Sequence, residues 1–137
     1  MKSIAYAMSL ILFVSLVAAA QAGTRAGVSS HYITGQEALA ADNYAKAKTA
    51  FAALAKESTG DLQAKAQATA NAPNIAAMRD AFKPLSEVVI KMSLPSDYAV
   101  AYCPMYKGGA SWVQKKGTIN NPYFGKTMLT CGEFKTK

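Results

Sequence analysis

The chain has 137 residues, 51% of them hydrophobic and 17% charged, with one histidine, two cysteines and a single tryptophan. This length holds one modest core and leaves little room for a second domain. The formal charge of +7 comes from lysines scattered along the chain, with only Lys115 and Lys116 adjacent, so it reads as a solvated basic surface and supplies no stripe for nucleic acid.

The N-terminus, "MKSIAYAMSLILFVSLVAAAQA", joins one basic residue, Lys2, to an apolar run and an Ala20-Gln21-Ala22 cleavage pattern. That is the layout of a cleaved secretory signal peptide over residues 1–22. It predicts a periplasmic or extracellular protein. No second apolar stretch is long enough to cross a bilayer, so stable membrane insertion after cleavage is not expected. Residues 23–29 are small and read as a flexible lead, followed by one domain over 30–137.

Within that domain, residues 30–93 read as helices. Ser29 or Ser30 can cap a first helix that runs to about Ala41. After a break or cap at Ala41-Asp42-Asn43, residues 43–57 place Tyr44, Ala47, Phe51, Leu54 and Ala55 on one stripe. Residues 61–71 are alanine-rich with few large apolar side chains, so a shallowly buried helix is expected there. Over 75–92, Ile75, Met78, Phe82, Leu85, Val89 and Met92 form a continuous seam behind a candidate cap at Asn74. Pro84 lies inside this segment and predicts a bend or break.

From Leu94 onwards glycine, proline and aromatic residues replace alanine. Tyr98 to Cys103 fits a short extended run, "KGGAS" a loop, and "NNPYFG" a turn. The expected fold is therefore mainly α. An up-and-down bundle of three or four helices is closed by an irregular, cysteine-containing cap over 94–137.

Enzyme chemistry finds little support in this inventory. His31 is far in sequence from both cysteines, and no C-x-x-C, P-loop or G-x-S-x-G is present. The sulfur residues stand out instead. Cys103-x-Met105 and Met128-x-x-Cys131 are two short pairs in the same cap, and thiolate with thioether is a soft donor set suited to Cu(I). A closed zinc site wants four Cys or His ligands, more than the chain has. Trp112 is a core or cap anchor, or a ring face over a soft cation, and His31 is a possible additional contact. The rival reading is a Cys103–Cys131 disulfide. It is the ordinary use of two cysteines in a secreted chain and would close a loop of about 28 residues, worth about 3–4 kcal/mol.

The strings "CPM", "GASWVQ", "NPYFG" and "MLTCGE", in that order, resemble a bacterial family of secreted domains of unknown function. These occur alone or fused to the periplasmic adaptor proteins of copper/silver efflux pumps of the resistance-nodulation-division class. The helical stretches "YITGQEALAADNYAKAKTAFAALA" and "MRDAFKPLSEVVIKM" are similar to the helical part of that family. The resemblance implies a periplasmic copper buffer or chaperone. It would hold Cu(I), or Ag(I), through Cys103, Met105, Met128 and Cys131, with an efflux adaptor as its partner. The alternative is a disulfide-pinned interaction module without metal, docking to such an adaptor or another envelope protein.

Overall fold

A computed structural model describes residues 25–136, so the signal-peptide reading of 1–22 lies outside the described residues. The described chain is mainly α, with four helices followed by a small three-stranded antiparallel sheet. None of these helices is long and apolar enough to cross a membrane.

Helix α1 covers residues 25–40, so the stretch expected as a flexible lead is helical from residue 25. The reason is visible in its burial, since Val28 already joins the core one turn ahead of Tyr32. Helix α2 (Tyr44–Glu57) starts where Asn43 caps it, its side chain accepting from the Lys46 N–H at 3.0 Å. It buries Ala47, Ala50, Phe51, Leu54 and Ala55. Gly35 of α1 sits against the Phe51 ring, where a Cβ would come within 2.4 Å of a ring carbon. The helix-weakening glycine therefore permits close approach of α1 and α2. Helix α3 (Gly60–Ala70) buries only Ala66, Thr69 and Ala70, as its small side chains dictate.

Helix α4 (Ile75–Ile90) is capped by Asn74 and carries the seam. Met78, Phe82, Leu85 and Val89 are buried, while Ile75 and Met92 at the two ends are half-buried. Pro84 does not break the helix. Phe82 is the hub of the core. Its ring centroid lies 5.4 Å from that of Tyr32, 5.5 Å from Phe51 and 5.6 Å from Tyr123, so α1, α2, α4 and the C-terminal part meet on one side chain.

The C-terminal part is more regular than its composition suggests. Strand β1 (Tyr98–Cys103) pairs antiparallel with β2 (Ala110–Lys115) and with β3 (Glu133–Phe134), in the order β2-β1-β3. Strand β2 escapes notice in the sequence because Trp112, Val113 and Gln114 are all buried, which erases the two-residue alternation. Helix α4 packs against β2, and one continuous apolar cluster includes residues of both parts, from Val28 to Tyr123.

Candidate functional site

Cys103 is the last residue of β1 and is fully buried. It pairs in register with Ala110, and Ala101 pairs with Trp112, so these four side chains occupy one face of the sheet. Cys131 arrives by a different route. A 3₁₀ turn, η1 (Gly125–Met128), leads into the segment, and the Cys131 N–H donates to the Met128 carbonyl at 3.1 Å.

Beyond Cys131, β3 pairs Glu133 with Tyr102 and Phe134 with Ala101. Continuing that register would set Gly132 opposite Cys103 and Cys131 one position further on, where a regular strand would turn its side chain to the other face. Gly132 has φ of 134°, and a Cβ there would lie 2.8 Å from the Tyr102 carbonyl oxygen and 3.0 Å from Cη2 of Trp112. Only glycine meets both demands, and this lets the chain turn tightly enough to bring Cys131 over the sheet.

The result is a pair of free thiols with Sγ atoms 3.0 Å apart, Cys103 buried and Cys131 partly exposed. This separation exceeds the bonded length of about 2.05 Å. It is also shorter than two sulfurs reach around a shared ion. With metal–sulfur bonds of about 2.3 Å, tetrahedral ligands stand roughly 3.8 Å apart and linear ones roughly 4.6 Å apart. The Cys131 thiol is pushed up from its ordinary pKa, first by its hydrogen bond with Cys103, then by desolvation and by the charge Cys103 would carry. Cys131 therefore holds its proton more tightly than an ordinary thiol, and either a soft metal or an oxidant must displace it.

The other residues singled out by sequence lie around this pair in different ways. Met128 is half-buried at the end of η1, one backbone hydrogen bond from Cys131. Met105 lies in the turn after β1 and is 65% exposed. Trp112 is buried beneath Gly132, its Nε1–H donating to Gln114 Oε1 at 3.0 Å and its ring edge-on to Tyr123. His31 sits on α1 with Nε2 3.2 Å from the Glu57 carboxylate of α2. Among the described residues, no group of three or more His, Cys, Asp or Glu side chains comes together to hold a metal ion.

Two buried polar residues frame the site. Gln114 ends the string "GASWVQ" and Asn121 opens the turn "NPYFG", and neither has a role of its own among the sequence motifs. Gln114 accepts from Trp112 Nε1 and the Asn120 N–H, and donates to the carbonyls of Lys115 and Thr118. Asn121 caps the "NPYFG" turn and reaches back to the segment that carries Cys131. The Asn-Pro pair at 121–122 is a turn-initiation signal, but nothing in it discloses the reach to Cys131. No protein-family model, curated protein or solved structure matches this chain.

Proposed function

We propose that the protein is a secreted soft-metal-binding protein, a periplasmic or extracellular buffer or chaperone for Cu(I), with Ag(I) as a chemical equivalent. The observation that carries this reading is the convergence of Cys103 and Cys131 at 3.0 Å, from two different segments, with one thiol open to solvent. Cys131 is the side from which metal enters, and Cys103 completes the grip from within. Met128 is the better-placed thioether because its backbone is hydrogen-bonded to that of Cys131. Met105, exposed on its turn, suits the capture or release of an ion at the rim. Trp112 serves as the packed floor, and His31, engaged with Glu57, is left out of the ligand set. In this reading the four helices form an up-and-down bundle that carries the cap, and transfer goes to an efflux adaptor of the class to which the resembled domains are fused.

The sulfurs must open from 3.0 Å to admit an ion, by roughly 1 Å or more at the metal–sulfur lengths above. The same separation favours a second reading, in which Cys103 and Cys131 are oxidised to a disulfide that pins the cap of an interaction module. Titration of the reduced protein with Cu(I) against a competing chelator decides between them. Thiol-dependent binding lost in the Cys103→Ser, Cys131→Ser double variant is the expected result. Equal affinity in the two proteins would end the copper reading. Met128→Leu, which nearly conserves volume, should weaken binding more than Met105→Leu. Affinity should rise with pH up to and beyond the ordinary thiol range, because binding must strip the raised proton of Cys131.

A further inference from the structure

Asn121 is fully buried, and both polar atoms of its side chain have partners, drawn from two segments. Its Oδ1 accepts the N–H groups of Tyr123 at 2.8 Å and Phe124 at 3.2 Å, which fixes the turn. Its Nδ2 donates to the Cys131 carbonyl at 2.7 Å, ten residues away. The Asn121 backbone N–H donates to the Leu129 carbonyl at 2.7 Å. Closing the turn requires only the acceptor oxygen. The donor end does something else, since it fastens the backbone carbonyl of the partly exposed cysteine.

The fastening matters because the other backbone bond of Cys131 is local, its N–H donating to the Met128 carbonyl three residues back. The β1–β3 ladder covers only Ala101 and Tyr102, and it stops short of Cys103. Gly132, between Cys131 and that ladder, is a residue of high backbone freedom. We infer that Asn121 is the positioning residue of the sulfur pair, holding Cys131 through its carbonyl so that its Sγ stays against Cys103. The inference rests on the reading of Cys103 and Cys131 as a working pair, whichever of metal or disulfide it serves.

Disulfide formation reports this directly and needs no metal. Cys131 loses its proton to solvent and attacks one sulfur of glutathione disulfide, whose S–S bond breaks and releases one glutathione. Deprotonated Cys103 then displaces the second glutathione, so two electrons pass from the protein to the small-molecule disulfide and the Cys103–Cys131 bond forms. The equilibrium constant of this exchange measures how well the fold presents one sulfur to the other.

The reduced protein is equilibrated in glutathione buffers, and the disulfide fraction is read by acid quench, alkylation and intact mass. Asn121→Asp keeps the acceptor oxygen for the turn but turns the donor into a carboxylate facing the Cys131 carbonyl. Asn121→Ser keeps a turn-capping oxygen on a side chain too short to reach it. Each variant should lower the constant at least tenfold, equivalent to about 30 mV for a two-electron couple. A residue that merely stabilises the fold would lower the melting temperatures of the reduced and oxidised proteins alike and leave the constant unchanged, which would overturn the inference.

Side-chain amide exchange in the wild-type protein gives a readout that does not depend on the variants folding. Slow exchange of the Asn121 Nδ2 protons is expected, and exchange at the rate of a free amide would overturn the assignment. If the wild type shows neither a reversible disulfide nor thiol-dependent Cu(I) binding, the working pair itself is refuted and Asn121 loses its role with it. If the wild type shows either and the variants match it, only the role of Asn121 is refuted.

Discussion

The helical part and the sheet part of this protein are held together by different kinds of interaction. Across α1 to α4 most buried side chains are apolar and recur at helical spacing, with Phe82 at the centre touching Tyr32, Phe51 and Tyr123. The buried polar ones, Gln36, Thr69 and Ser86, each make one hydrogen bond. The sheet part has an apolar floor in Trp112 and Tyr123, but its loops are tied down by buried amides. Gln114 holds the 115–120 loop and Asn121 holds the turn and Cys131. Apolar seams tolerate exchange of side chains of like volume, whereas a satisfied amide network depends on each donor and acceptor. A site that needs two sulfurs in register is built in the second kind of material, where position is fixed by direction as well as by volume.

The largest expected effect comes from attacking the point where the two parts meet. Phe82→Ala should cost about 3–5 kcal/mol, the usual range for emptying a buried aromatic site. Because Phe82 contacts both α1 and Tyr123, the loss should appear equally in far-ultraviolet circular dichroism and in the emission of the single tryptophan, Trp112. Urea unfolding followed by both probes checks this. Two separated transitions would show that the helical and sheet parts fold as independent units, against their shared core.

A smaller effect, confined to the sheet part, is expected from Gln114→Leu. The substitution roughly conserves size but strands four groups, the Trp112 Nε1–H, the Asn120 N–H and the carbonyls of Lys115 and Thr118. Some of these reach water by opening the loop, so the net cost should be about 2–3 kcal/mol. Trp112 emission should shift to the red in the native state, while the helical signal stays at its wild-type value. A cost below about 0.5 kcal/mol would mean that apolar packing alone carries this part, and the contrast would fail.

The same contrast explains what could be read from the sequence. The α4 seam was legible because burial on one side of a helix imposes a spacing, and Met78, Phe82, Leu85 and Val89 obey it. The Asn43 and Asn74 caps were legible because a cap is a local hydrogen bond. Strand β1 could be read over its full length, but β2 could not, since burial of Val113 beside Trp112 and Gln114 hides its period. The helical character of residues 25–29 was obscured by small residues whose burial depends on tertiary contact. For the site, the cysteines and methionines could be named as candidates from type and spacing. That Cys103 and Cys131 approach to 3.0 Å, while Met105 stands in solvent, depends on Gly132 and Asn121, whose reach across ten residues leaves no periodic trace.

The smallest expected effect concerns the charged contacts that bridge the two parts at the surface. Arg79 of α4 donates to the Pro122 carbonyl, the Leu39 carbonyl and the Asp42 carboxylate, and Asp42 in turn accepts the Lys126 N–H. The hydrogen bond from Arg79 holds the Asp42 carboxyl below the usual carboxylate range, and the bond from Lys107 does the same for Asp80, with Tyr106 adding to it. A depressed folded-state pKa means that the stabilisation is present above the unfolded value, near pH 4, and is lost as pH falls through the lower folded value. Both carboxylates are more than one-third exposed, so solvent screening limits each contribution to less than about 1 kcal/mol. Thermal unfolding followed from about pH 5 down to about pH 2 should show a gradual loss, and Asp42→Asn should flatten part of it. A variant that loses stability as steeply as the wild type over this interval would remove Asp42 from the joint. The bridge between the parts would then rest on Phe82 and on the neutral carbonyl contacts of Arg79, which do not titrate.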